Sequence, residues 1–204
     1  MVSTGLPVNC MVLAIYGKYD DGWKLNILQM GEYSVMDQTA PEYYNVALNQ
    51  YAKRNYIDAV DMIMTASQVT HPGGSIFLYL KDYEMKDTYS VILKDANTQY
   101  HLPLTLEQVK TKPQIFSISP QFAINMEPQG ILPMIKYKSI IPLTDTVALK
   151  AENKGVQAAV ADIFAGANKN KPGIFYRVYN KMPNEKIEVN YYTFIQRTKY
   201  GKSE

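Results

Sequence analysis

A chain of 204 residues with 47% apolar content can bury one ordinary core, or two small ones, without metals or disulfides. Its net charge of +2, from 21 basic and 19 acidic residues in no long block, makes no case for nucleic acid. The single cysteine, Cys10, excludes an internal disulfide and a multi-cysteine zinc site, and no run of about 18 apolar residues is present to span a membrane.

The first element is MVLAIYGKYDDGWKLNILQMG, residues 11 to 31, which reads as a β-hairpin turning at Asp21-Gly22. With that turn, one face carries Met11, Leu13, Ile15, Leu28 and Met30. The other carries Val12, Ala14, Tyr16, Trp23, Leu25 and Ile27. A hairpin with one wet side alternates polar and apolar residues, and this one is apolar on both sides. Both faces therefore need cover: helices on one, and strands absent from this chain, the C-terminal sheet or a second copy on the other. A start of this kind suits a sheet whose earlier strands have been removed, and an envelope or extracytoplasmic location would follow from such removal. The residues before Cys10 carry no export signal.

Helical periodicity follows. Thr39 is placed to cap a first helix with Pro41 and Glu42 in its first turn, and Tyr43 or Tyr44, Ala47, Leu48 and Tyr51 recur along it. A second helix begins near Tyr56 and presents Ile57, Val60, Ile63 and Met64, until His71-Pro72-Gly73-Gly74 stops it. Ala47, Tyr56, Ala59 and Ala66 stand at the small and aromatic positions of a tetratricopeptide unit, which residues 40–72 resemble. Gln50 and Arg54 depart from that pattern. The resemblance implies an antiparallel helix pair whose small residues meet at the crossing. A third helix runs from about Asp82 to Asn97, and Thr105 with Gln108 has the spacing of a capping box.

From Pro113 the signal turns to strands: QIFSIS, then ILPMIKYKSII. A helix follows through Val156, Ala159, Val160, Ile163 and Phe164. GIFYRVYNK and KIEVNYYTFIQRTKY then form a hairpin with its loop at residues 182–185. That loop pairs Phe175 with Tyr192, Arg177 with Asn190 and Tyr179 with Glu188. Phe175, Arg177, Tyr179, Tyr192 and Phe194 then share one exposed face opposite Ile174, Tyr176, Val178, Ile187, Val189, Tyr191 and Ile195. Tyr and Arg are enriched where proteins meet partners, which makes this the candidate binding face. The excess of Tyr, 17 against 6 Phe and 1 Trp, suits half-exposed surfaces.

Catalytic patterns are sparse. Neither His71 nor His101 has a second ligand at metal spacing, Gly-x-Ser-x-Gly is absent, and HPGGS lacks the lysine of a phosphate loop. Asp58 and Asp61 read as a solvated carboxylate pair, and Lys169 with Lys171 as a basic helix-end loop. No cofactor and no metal are expected.

The expected fold is α+β. An N-terminal β-hairpin and a three-helix segment (residues 1–112) precede a β-β-α-β-β antiparallel sheet region (residues 113–204). The expected function is a non-enzymatic interaction or accessory protein, whose partner is a protein or a second copy. The alternative is a small-ligand-binding or hydrolytic domain, since the strand pair followed by helices is similar to the closing strands of NTF2-like cones.

Overall fold

The computed structural model describes residues 2, 7–124, 126–164, 167, 171–183 and 189–198. The fold is α+β, as the sequence implies, with two sheets joined through a helical layer.

The first sheet is the opening hairpin. Strands β1 (Val8–Tyr19) and β2 (Gly22–Val35) pair antiparallel, and a two-residue β3 (Gln38–Thr39) extends the sheet beyond β2. Its turn lies one residue earlier than expected. Asp20 and Asp21 form the turn, Tyr19 pairs with Gly22, and Gly22 takes the positive φ of +120° that glycine tolerates. The ladder also shifts between Ile15 and Tyr16, where Ile27 opposes the first and Leu25 the second, leaving Asn26 bulged. Because strand faces alternate with period two, such slips move side chains across the sheet. Leu28 and Met30 therefore join the Val12 face instead of the Met11 face. Between Val35 and its partner Gln38, Met36 and Asp37 turn with φ of 46° and 60°. Asn9 anchors the base by donating from Nδ2 to Ser34 Oγ and Asp37 Oδ1, each at 3.0 Å.

The helical layer is α1 (Ala40–Ala52), α2 (Tyr56–Gln68) and α3 (Asp82–Tyr100). At the start of α1 the Thr39 N–H and hydroxyl both donate to the Glu42 carboxylate, at 2.7 and 2.6 Å. Ala47, Ala59 and Ala66 are buried in one cluster with Tyr43, Ile63 and Ile92, and α1 packs along α2. Only the hairpin base, Val8 and Val35, belongs to that cluster. The helices thus cover less of the hairpin than expected.

The second sheet has the order β4 (Leu104–Thr105), β5 (Gln114–Ala123), β6 (Gly130–Lys138), β7 (Gly173–Tyr179), β8 (Tyr191–Arg197). It is mixed: β6 and β7 are parallel because α4 (Thr146–Ile163) returns the chain across the sheet between them. The other pairings are antiparallel. Thr105 lies in β4 opposite Gln114 and heads no capping box. Asp145 caps α4 by accepting from the Ala148 N–H at 3.0 Å. Leu149, Val156, Ala159 and Val160 of α4 pack on Ile135, Tyr137, Ile174, Tyr176 and Val178, and Ile57 of α2, Leu106 and Val109 join that core. Residues 104–109 thus pack with the C-terminal sheet.

Candidate functional site

The expected sheet patch is divided between two faces. Phe175 pairs with Ile195, Arg177 with Thr193 and Tyr179 with Tyr191, a slip of three residues along β8 from the expected ladder. The slip is odd, so it carries Tyr192 and Phe194 to the opposite face. Just past β7 the Asn180 side chain is committed elsewhere. It accepts from the Leu143 N–H at 3.1 Å and donates to the Ser139 and Ile141 carbonyls at 3.1 and 2.5 Å. That clamp holds the end of β7 to the connection between β6 and α4. Residues Ile187 and Glu188, assigned to this hairpin by the sequence, lie outside the described residues, as does Lys169.

Tyr192 and Phe194 share the α4 side with Tyr176 and Val178, and their rings stand 4.9 Å apart. Phe194 packs against the core. On the other face, Phe175 and Tyr179 are only 3% and 5% exposed, which corrects their placement in an exposed patch. Phe175 packs with Ala123, Leu132 and Met134. Arg177 is half-buried, with its guanidinium 4.1 Å from the centre of the exposed Tyr191 ring. Its Nε is buried and donates no hydrogen bond, a deficit that costs about 1–3 kcal/mol. The corrected face is therefore Arg177, Tyr179 and Tyr191, with Lys136 of β6 directly in register beside Arg177. Burial holds the Lys136 ammonium below the usual lysine range, and the Arg177 charge adds to that shift.

The hairpin arm is the second feature. In register from tip to base, one face runs Lys18 opposite Trp23, Tyr16 opposite Leu25, Ala14 opposite Leu28, Val12 opposite Met30, and Cys10 opposite Glu32. Trp23 is 69% exposed and Met30 70%, and Tyr16, Leu25 and Leu28 are exposed with them. The other face is covered near its base. Gly31 meets the Pro72 carbonyl, and Gly73 meets Met11 and Leu13, so the 71–74 turn lies against the sheet there.

Two polar groupings went unseen in the sequence. Between α2 and α3 a cleft of about 420 Å³ is lined by Ile63, Ser67, Thr70, His71, Asp82 and Tyr89 among others, with His71 Nε2 at 3.2 Å from Asp82 Oδ1. Below it, Asp61 is completely buried and Asp58 partly so, and Lys171 pairs with both. The solvated-pair reading of Asp58 and Asp61 is thereby corrected, and Lys171, read as part of a basic helix-end loop, is a largely buried partner of both. Desolvation of Asp61 pushes its carboxyl up to about 7, opposed by Lys171 and assisted by Asp58. One signal was legible: Asp61 stands in the apolar stripe of α2, four residues after Ile57 and three before Met64. Among the described residues no three His, Cys, Asp or Glu side chains converge as a metal site, and no helix is long and apolar enough to cross a membrane.

Comparison with known proteins gives no family model that matches, and no significantly similar curated protein or solved structure.

Proposed function

We propose that this protein is a non-enzymatic interaction protein whose hairpin arm packs face to face with the arm of a second copy. The carrying observation is the exposed face bearing Tyr16, Trp23, Leu25, Leu28 and Met30. Large contiguous apolar patches on a protein surface mark interaction sites. At the exposures seen, these five side chains offer roughly 500–600 Å² per copy, so a symmetric pair reaches the ~1,000 Å² that a specific interface needs.

The charge pattern favours a second copy over an unrelated occupant. Lys18 ends the face at the tip and Glu32 ends it at the base, with Ala14 and Leu28 midway. A two-fold axis across the strands at Ala14 lays tip over base, so that Lys18 of each copy enters the layer of the other copy's Glu32. The small Ala14 at the centre permits the close approach of two sheets. Sedimentation velocity over a dilution series tests the reading: a monomer–dimer equilibrium is expected, and Leu28→Asp is expected to leave the monomer. A chain that stays monomeric at high concentration would overturn it.

A small-ligand-binding function is the second reading, supported by the polar lining of the α2–α3 cleft. Its His71–Asp82 pair has the form of an oriented base. No hydroxyl or thiol among the described residues hydrogen-bonds to His71, so the cleft supports binding better than hydrolysis. Soaking small polar fragments and reading the His71 ring resonances by NMR tests it.

A further inference from the structure

On the sheet face away from α4, four strands place Ser117 (β5), Lys136 (β6), Arg177 (β7) and Thr193 (β8) in one continuous register row. All four side chains carry hydrogen-bond donor groups, all four are half-buried, and neighbouring strands lie about 4.8 Å apart. The floor below the row is apolar and buried, formed by Met134 and Phe175. Above it, the exposed Tyr191 ring lies on the buried Tyr179 with ring centres 5.6 Å apart, and the exposed Lys138 adds a third positive charge.

Two cations facing each other in register repel, and sheets ordinarily place opposite charges at such pairs. Among the described residues, neither Lys136 nor Arg177 has a carboxylate partner, whereas Lys24, Lys81, Lys112 and Lys171 all do. Arg177 is held flat by Tyr191 while its buried Nε has no acceptor. Buried donors are normally satisfied, and this one belongs to a row of side chains that all carry donors. An anion between the two cations would answer both deficits at once.

We propose that this row is a binding site for a phosphate monoester, whose dianion lies between Lys136 and Arg177 with Ser117 and Thr193 as flanking donors. Two adjacent cations match a charge of about −2 better than a carboxylate's single charge. The planar guanidinium suits bidentate contact with two phosphate oxygens. The exposed Tyr191 ring beside the row receives the esterified group, which favours an aromatic ester. This site is separate from the hairpin arm and stands independently of self-association.

Calorimetric titration of the full chain with phenyl phosphate tests the assignment. One site per chain is expected. Arg177→Gln and Lys136→Met should each weaken binding by about tenfold or more, since each removes a charge-assisted contact. Thr193→Val paired with Ser117→Ala should weaken it severalfold, and this pair carries the test if Arg177→Gln does not fold. Affinity should rise severalfold from about pH 5.5 to pH 7.5, as the second phosphate proton leaves near pH 6. Benzoate, with the same ring and one charge, should bind at least tenfold more weakly. Absence of binding at millimolar phenyl phosphate would overturn the proposal. So would affinity retained in the folded variants, or benzoate binding as tightly.

Discussion

Lys171 and Asp61 meet inside the protein, the ammonium Nζ 3.5 Å from Asp61 Oδ2, between the middle of α2 and the residues leading into β7. Asp58, one turn earlier on α2, takes the same ammonium from its other side. One cation therefore ties the helical layer to the C-terminal sheet, beside the apolar contact that Ile57 makes with the same core. A buried arrangement of this kind gains little net stability, because desolvation offsets most of the attraction. Its specific contribution is register, since Lys171 has two acceptors only when α2 and the β7 entry are correctly aligned.

Asp61 makes stability depend on pH. Its carboxyl is raised to about 7 by burial, so the folded chain holds a proton that the unfolded chain has lost. With an unfolded value of about 3.9, this contribution is fully present below about pH 4 and is lost as pH rises toward 7. Urea midpoints for the wild type and Asp61→Asn at pH 5 and pH 8 check this. The wild type is expected to gain about 2 kcal/mol more than the variant on going from pH 8 to pH 5. Equal pH responses would mean that Asp61 is ionised throughout.

Ala59 is completely buried on α2, in the cluster that holds Ala47 of α1. Ala59→Leu inserts methylenes where the two helices pack, and overpacking of this kind costs about 1–3 kcal/mol. The denaturant midpoint is expected to fall by that amount with an unchanged slope. An unaltered midpoint would show that the helix pair can separate to admit the larger side chain.

The helices were legible because their signals are local. Thr39, Pro41 and Glu42 announce the start of α1, and His71-Pro72-Gly73-Gly74 announces the end of α2. Strand order in chain sequence was legible too, as were both apolar faces of the opening hairpin. Register was not. A single bulge at Asn26 exchanged the faces of Leu28 and Met30, whereas the turn displaced by one residue left parity unchanged. β8 lies three residues from its expected ladder on β7, whose end Asn180 clamps to the β6–α4 connection about 40 residues away in sequence. Face assignment depends on parity, so tertiary contacts of this kind invert it without altering local pattern. The parallel pairing of β6 with β7 has the same origin, for it depends on where α4 returns the chain. Arg177 was found by residue type, and Lys136 emerges only once β6 and β7 are placed side by side.

Gly31 fixes the hairpin to the helical layer by having no side chain. A Cβ there would lie 2.5 Å from the Pro72 carbonyl oxygen and 2.9 Å from its carbon, and backbone cannot yield as a flexible side chain can. Gly31→Ala is expected to push the hairpin base off the 71–74 turn, at a cost of about 1–3 kcal/mol in chemical denaturation. The emission of Trp23, near the tip and mostly exposed, should not change in the dilute monomer. A full-stability Gly31→Ala variant would mean that the turn moves independently of the sheet.

The tip-over-base arrangement of two arms makes a prediction that burial alone does not. Lys18 and Glu32 sit at opposite ends of one hairpin face and are both exposed, too far apart to meet within a chain. In the proposed pairing they come together between copies, and twice over by symmetry. Exposed pairs contribute about 0.2–1 kcal/mol each, and reversing one charge replaces two attractions with two repulsions. Lys18→Glu and Glu32→Lys should therefore each weaken self-association by about tenfold, while the double variant recovers most of the wild-type affinity. Added salt should shrink the penalty of each single variant, because rim charges are screened within a Debye length of about 8 Å at physiological ionic strength. Sedimentation equilibrium on the four chains at two salt concentrations reads all of this. If the single variants dimerise as well as the wild type, the arms do not pack tip over base, and the apolar face is used in another geometry.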